Sequence, residues 1–275
     1  MSTTFLTASS DLSLRAKCKA TWEAGDFGIV AKYNDPTALE FMSRLPLKAG
    51  LRVLDVACGT GNLAMIAARA GCATTGIDIA SNLVLQARAR AAAEGLQIDF
   101  READAEELPL KTASVDMVVS MYGLVFAPRP ERAGAEALRV CAPGGTIALA
   151  NWTPEGFIGE NFRRVARHVA PSSGAASPLL WGDETTVRAR LGDAVKDLRM
   201  TRRIARLRYP FPPAQTVDFF RQFYGPTVRA FACLEPDNRC KLHADLEDMF
   251  ITHNRSTDGA TEVDAEYLEV IAVRN

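Results

Sequence analysis

The sequence predicts an α/β fold: a doubly wound, seven-stranded, mostly parallel Rossmann-like sheet carrying a helical, aromatic-rich lid. Three observations predict it. At Arg52-Val-Leu-Asp-Val-Ala-Cys-Gly-Thr-Gly-Asn-Leu-Ala64 an apolar run ends in an acid, turns on glycines and enters a small-residue helix. Strand-like and helix-like segments then alternate to about residue 150, a rhythm that implies parallel strands covered on both faces. Two later extended segments, Val195–Tyr209 and Thr261–Val273, have a helical, aromatic stretch between them.

Taken in order, Leu12 to Ala24 has an amphipathic helical pattern and is followed by Gly25-Asp-Phe-Gly28. A second helix runs from Pro36 to Leu45, with Asp35 as its expected cap. Val53, Leu54 and Val56 form a buried strand with no polar face. Strands are expected near 52–57, 73–78, 97–101, 115–120 and 145–150, with helices near 62–70, 81–94 and 129–141. Ser81 is the expected N-cap of the second of these helices, and Pro143-Gly-Gly145 a turn into the fifth strand. Beyond Trp152 short helices are expected at Gly159–Val169 and Asp183–Leu191. The strand Val195–Tyr209 is rich in Arg and is broken by Pro210-Phe-Pro-Pro213, and helical segments follow from Ala214 to His253. The whole chain, 1–275, is read as one domain, with its core at about 46–151, 195–210 and 261–275. The remaining pieces, about 1–45, 152–194 and 211–260, are expected to pack together as the lid.

Two ligand classes compete for the glycine loop. Gly59-Thr-Gly61-Asn-Leu-Ala64 fits the G-x-G-x-x-A pattern of dinucleotide binders. Asp55 stands four positions before Gly59, at the carboxyl end of the strand. A carboxylate there repels a pyrophosphate and welcomes an ammonium or sulfonium group. The cofactor that fits is S-adenosylmethionine, with two cationic centres and no phosphate. The alternative for Asp55 is a cap on the turn backbone. Asp78 ends the next strand, 23 residues after Asp55, where an acid can accept both hydroxyls of a ribose. Asp104 follows a third strand, and with the Ala105 amide it can read the amino edge of adenine.

These motifs resemble the class I S-adenosylmethionine-dependent methyltransferases, of the small-molecule type related to the ubiquinone/menaquinone-biosynthesis enzymes. The resemblance covers about residues 50–152: Val-Leu-Asp-Val-Ala-Cys-Gly-Thr-Gly, Gly-Ile-Asp, Asp-Ala-Glu-Glu-Leu-Pro and Leu-Arg-Val-Cys-Ala-Pro-Gly-Gly145. It implies that Asp55, Ala57, Gly59 and Gly61 line the methionine moiety, with Cys58 and Thr60 in the same loop. It implies Asp78 and Ile79 at the ribose, Asp104 and Ala105 at the adenine, and Ser120, Met121 and Tyr122 closing over the cofactor. Cys58 is read as a small, tolerated side chain rather than a nucleophile. The last two strands would form the antiparallel hairpin that closes such sheets, its short turn replaced by an insertion of about fifty residues.

Composition narrows the partners. A net charge of −1 gives no field to attract nucleic acid or an anionic membrane. Six cysteines without C-x-x-C and three scattered histidines offer no metal spacing. Spread cysteines and the lack of a signal-like start or membrane-length apolar run make the cytoplasm the expected compartment. A small-molecule methyl acceptor is expected, with neither nucleic acid nor membrane as partner, and an exposed lid leaves room for a homodimer.

The acceptor must lie under the lid. Trp22, Tyr33, Trp152 and Trp181 are the candidate substrate contacts, alongside Tyr122, whereas Phe219, Phe220 and Phe223 are expected in the core. Methyl transfer from a sulfonium is an in-line displacement that alignment and water exclusion can drive. No catalytic residue is assigned. His168, His243, His253, Asp26 and Glu160 are the groups weighed as a base. The competing functions are a nicotinamide-dependent oxidoreductase, which Asp55 opposes, and a non-catalytic S-adenosylmethionine-binding module.

Overall fold

In the computed structural model, which describes residues 14–170 and 176–275, the strands fall in one seven-stranded sheet of order β3-β2-β1-β4-β5-β7-β6. They are β1 (Arg52–Val56), β2 (Ala73–Asp78), β3 (Ile98–Glu102), β4 (Val115–Met121), β5 (Cys141–Trp152), β6 (Val195–Tyr209) and β7 (Thr261–Arg274). β1 pairs in parallel with β2 and β4, β2 with β3 and β4 with β5, while β7 runs antiparallel between β5 and β6. Strand order reverses between β1 and β4, and a crevice opens beyond their carboxyl ends.

Alternation along each strand feeds two cores. Val53, Met117, Val119, Ala148 and Ala150 join a cluster with Phe41, Met42, Phe250 and Tyr267. Their neighbours Leu54, Val118, Ile147 and Leu149 join the opposite cluster with Trp181 and Leu191. Both faces are covered, which is why these strands carry no polar side.

The helices are α1 (14–23), α2 (Phe27–Ala31), α3 (Asp35–Ser43), α4 (Asn62–Arg69), α5 (Ser81–Ala93) and α6 (Pro130–Val140). After β5 come α7 (Phe157–His168) and α8 (Glu184–Leu191), and between β6 and β7 lie α9 (Pro213–Phe223), α10 (Gly225–Ala232) and α11 (Pro236–His253). The expected start of the first helix at Leu12 lies outside the described residues. Residues 25–28 are not all loop: Asp26 accepts the Gly28 amide at 3.1 Å and starts α2.

Three local expectations are corrected. Asp35 is the first residue of α3 rather than its cap, because a 3-10 turn at Lys32–Asn34 runs directly into the helix. Ser81 is likewise inside α5. Its amide and hydroxyl both donate to Glu23 of α1, at 3.1 and 2.7 Å, so a distant carboxylate caps the helix. The turn at 143–145 is a bulge within β5, which already pairs Cys141 with Val115 before regaining register at Thr146 and Met117.

The helical insertion and α7 cover one face of the sheet. Arg164 of α7 donates to the Asp245 carbonyl and carboxylate of α11, at 2.7 and 2.9 Å. The segment containing α8 packs instead on the opposite face. There Trp181 lies against Gly134 of α6, where an added Cβ would stand 3.2 Å from the ring. Arg190 sits 4.8 Å above that ring.

Candidate functional site

The loop after β1 is shaped by backbone that turns left-handed at Ala57, Gly59 and Gly61 (φ 55°, 54° and 84°). Such an angle is costly for alanine, and at Ala57 it is held by the tight turn between β1 and α4. Asp55, 2% exposed, accepts the Ala64 amide at 3.0 Å, in the first turn of α4. Burial pushes its carboxyl up to about 8; the Ala64 amide works against that shift and the charge of Asp78 adds to it. Asp78 accepts the amides of Gly59 and Ala80, each at 2.8 Å, and burial raises it as well. Asp104 accepts the Glu106 amide at 2.9 Å and meets Arg15 Nε of α1 at 3.2 Å.

The three acids face one cleft of about 1030 Å³. Of the residues expected there, Asp55, Ala57, Cys58, Gly59, Thr60, Asp78, Ile79, Asp104, Ala105, Met121 and Tyr122 line it. Two do not. Gly61 faces Phe100, whose ring would lie 2.6 Å from any Cβ added there. Ser120 donates to the Val56 carbonyl at 2.7 Å and accepts the Leu124 amide at 3.0 Å, tying β4 to β1 from behind. The Cys58 thiol is held well above its usual range by burial and then by Asp55 and Asp78, so it stays protonated and is no nucleophile.

A second cavity of about 680 Å³ adjoins the first. Trp22, Phe27, Asn34, Tyr122 and Phe126 line both and form the seam. Trp152 lines the second cavity and stacks on Tyr122, ring centroids 3.6 Å apart at 13°. Tyr122 itself has a left-handed φ of 61°, and its buried hydroxyl makes no hydrogen bond.

Trp22 and Trp152 are therefore placed at the cavities, whereas two other expected contacts are not. Tyr33 packs behind the wall, 4.8 Å from the Tyr209 ring, and lines neither space. Trp181 is fully buried in the opposite core. Phe220, expected in the core, lines the second cavity. None of the weighed bases lines either cavity. His168 faces Asp245 at 3.1 Å, His253 faces Glu160 at 2.9 Å, His243 faces Asp218 at 3.3 Å, and Asp26 caps α2.

Sequence reasoning missed Arg15 and Cys18. With Trp22 they occupy positions i, i+3 and i+7 of α1, one helical face turned to the cleft, and that spacing was the available signal. Asn34 and Asn62 carried no such mark.

Residues 53–145 match the family model described as a methyltransferase domain. The chain is 35% identical over 269 residues to an uncharacterised protein of Mycobacterium tuberculosis, covering 96% of this chain and 97% of the relative. It is 39% identical over 130 residues to the ubiquinone biosynthesis O-methyltransferase of Xanthomonas axonopodis, covering 45% of this chain and 53% of that protein. The chain belongs to the class I S-adenosylmethionine-dependent methyltransferases. Its fold is shared with phosphoethanolamine N-methyltransferase 2 of Haemonchus contortus at TM-score 0.56 and 17% identity, covering 87% of this chain and 52% of the other.

The methyltransferase uses S-adenosylmethionine as its cofactor, and its cleft has the matching chemistry. Asp55 and Asp78 are buried carboxylates whose hydrogen bonds come from backbone amides, with no Lys or Arg bridging either among the described residues. A cationic ligand supplies the missing counter-charge. A dinucleotide would set its pyrophosphate near Asp55, so the oxidoreductase alternative falls with the family assignment. Among the described residues no helix is long and apolar enough to cross a membrane.

Proposed function

We propose that this methyltransferase transfers its methyl group to a small, partly apolar metabolite seated in the second cavity. The observation that carries this is the seam: an aromatic space adjoins the acidic cleft and shares Trp22, Phe27, Tyr122 and Phe126 with it. A cavity of this lining suits a small apolar body better than a peptide or nucleic acid.

On this reading Asp55, Ala57, Cys58, Gly59 and Thr60 hold the methionine end, with Asp55 facing its positive charge. Asp78 accepts the ribose hydroxyls through lone pairs left free by the Gly59 and Ala80 amides, which fix its orientation. Asp104 and Ala105 take the adenine, with Arg15 closing over that end from α1. When bound, the cofactor supplies an activated methyl on a good leaving group, so the chain's task is alignment and exclusion of water. The Tyr122–Trp152 stack gives the acceptor a flat, rigid wall; such a pair contributes about 0.5–1.5 kcal/mol beyond its buried area. The six cysteines are all unpaired, which supports the expected reducing, cytoplasmic setting.

The test is S-adenosylhomocysteine release over a panel of small aromatic and alicyclic acceptors, with a peptide mixture and tRNA as macromolecular arms. Turnover confined to the small compounds, and lost in Trp152→Ala, is the expected result. Turnover of the macromolecules alone would defeat the reading. Cofactor binding with no turnover of any acceptor would favour a sensor module instead.

A further inference from the structure

Among the described residues lining the second cavity there is no Asp, Glu, His, Lys or Arg. Its ionisable groups are the hydroxyls of Tyr122, Tyr209 and Tyr224, and burial holds all three above the ordinary phenol range. A phenol, an alcohol or a carbon acid entering this space meets no group able to take its proton before attack. An acceptor that arrives already anionic must leave water for an aromatic lining without a cation to pair with it. It would also cancel the positive charge that compensates Asp55 and Asp78. An amine that gives up its proton to water before entry avoids both costs, since the neutral form then carries a free lone pair into the cavity. The positive charge then passes from sulfur to nitrogen, remaining near the same acids and among the rings of Trp22, Tyr122, Phe126 and Trp152, which favour a cation.

Asn34 adds an independent observation. It is the N-cap residue of α3, at φ −96° and ψ −9°, yet its side chain makes no capping hydrogen bond. As the last residue of the 3-10 turn that runs into α3, its backbone is helical rather than the extended form a capping side chain needs, so the amide is not engaged at the helix end. It lines both cavities, and of the five seam residues it alone carries a polar group that is not part of an aromatic side chain.

Resting on the small-acceptor reading above, we infer that the acceptor is a neutral primary or secondary amine with an apolar body, oriented at the seam by Asn34. The amide oxygen of Asn34 accepts the acceptor's N–H and leaves the nitrogen lone pair free. That lone pair forms the new N–C bond while the methyl carbon's bond to sulfur breaks, the sulfur keeping the electron pair. The product is an ammonium ion, which gives up its proton to water after release.

The test compares 1-naphthylmethylamine with 1-naphthol on the full chain in alkaline buffer. Binding is read by tryptophan fluorescence in the presence of S-adenosylhomocysteine, and product by mass spectrometry. The amine should be methylated at least about tenfold faster than the naphthol. Asn34→Leu should raise the KM for the amine about tenfold, the loss of one hydrogen bond. Its affinity for S-adenosylhomocysteine by calorimetry should stay within about twofold of the parent, as befits a residue acting on the acceptor. Naphthol methylated as fast as the amine would overturn the amine inference while leaving the small-acceptor reading intact. Neither probe binding would sink the small-acceptor reading itself. An unchanged amine KM in Asn34→Leu would remove Asn34 from the acceptor site.

Discussion

Asp55 accepts the amide of Ala64 at 3.0 Å, so this acid near the end of β1 braces the first turn of α4 and faces the acidic cleft at once. The two roles separate in an isosteric variant. Asparagine keeps an oxygen for the Ala64 amide but loses the buried charge. Asp55→Asn should therefore raise the Tm of the cofactor-free protein at mildly alkaline pH. It should also weaken S-adenosylmethionine binding by about 2 kcal/mol or more, ~30-fold. Calorimetry and a thermal melt on the same sample check both signs. A variant that loses stability and keeps its affinity would make Asp55 a brace and nothing more.

Proton linkage gives a second expectation. In the folded, cofactor-free protein Asp55 titrates near 8, whereas an unfolded aspartate titrates at about 3.9. Between those values the folded state holds a proton the unfolded chain has released, so stability falls as pH rises from about 4 to 8. Asp78, raised by burial too, acts with the same sign. A cationic cofactor favours the ionised carboxylate and should expel a proton on binding near neutral pH. Calorimetric heats in phosphate and Tris should then differ in the sense of proton release, and the difference should shrink in Asp55→Asn. Equal heats in the two buffers would contradict the linkage.

Asp78 accepts two buried amides, from Gly59 and Ala80. Asp78→Ala leaves both without an acceptor, at a cost of about 1–3 kcal/mol each if no water replaces it. The variant should fold with a lowered Tm and bind cofactor far more weakly. Asp78→Asn, which retains an acceptor oxygen, should recover more stability than affinity. Recovery of both together would mean that the carboxylate only braces the loop.

On β7, Glu269 is 3% exposed and accepts Arg44 Nε at 2.7 Å and Arg203 Nε at 2.8 Å. Arg44 also donates to the Tyr267 hydroxyl at 3.0 Å, and Tyr267 meets Tyr122 edge-on at 5.7 Å. Removing Glu269 leaves both arginines without this partner, although each keeps part of its side chain in water. Glu269→Ala should destabilise the fold by about 1.5–3 kcal/mol in urea denaturation. A loss under about 1 kcal/mol would show that water compensates both arginines.

Gly61 supports the loop by what it lacks. At φ 84° and with the Phe100 ring 2.6 Å from a notional Cβ, Gly61→Ala should lower stability by about 1–3 kcal/mol. Pairing it with Phe100→Leu should restore part of that loss if the ring is the obstacle. No recovery would assign the cost to the backbone angle alone.

The strand, glycine loop and helix around residues 52–64, the acids at three successive strand ends, and the long strands Val195–Tyr209 and Thr261–Val273 were legible in the sequence. Each depends on neighbours a few positions away: unbroken apolar runs for a sheet buried on both faces, glycines for left-handed turns, acids where strands stop. The cofactor class was readable for the same reason, because its charge must be met by side chains at those stops.

Tertiary structure decided which aromatic groups meet. Trp22 and Trp181 were both expected at the substrate, yet one forms the seam and the other fills the opposite core against Gly134 and Arg190. Helix capping behaved likewise: Glu23 displaced Ser81 from a role that local pattern assigned to it. The sequence by itself determined the architecture and the acidic cleft, since these follow from local periodicity and turn chemistry. The shape of the second, aromatic cavity was settled only by packing, because an apolar ring specifies how much area is buried and not which face of the sheet receives it.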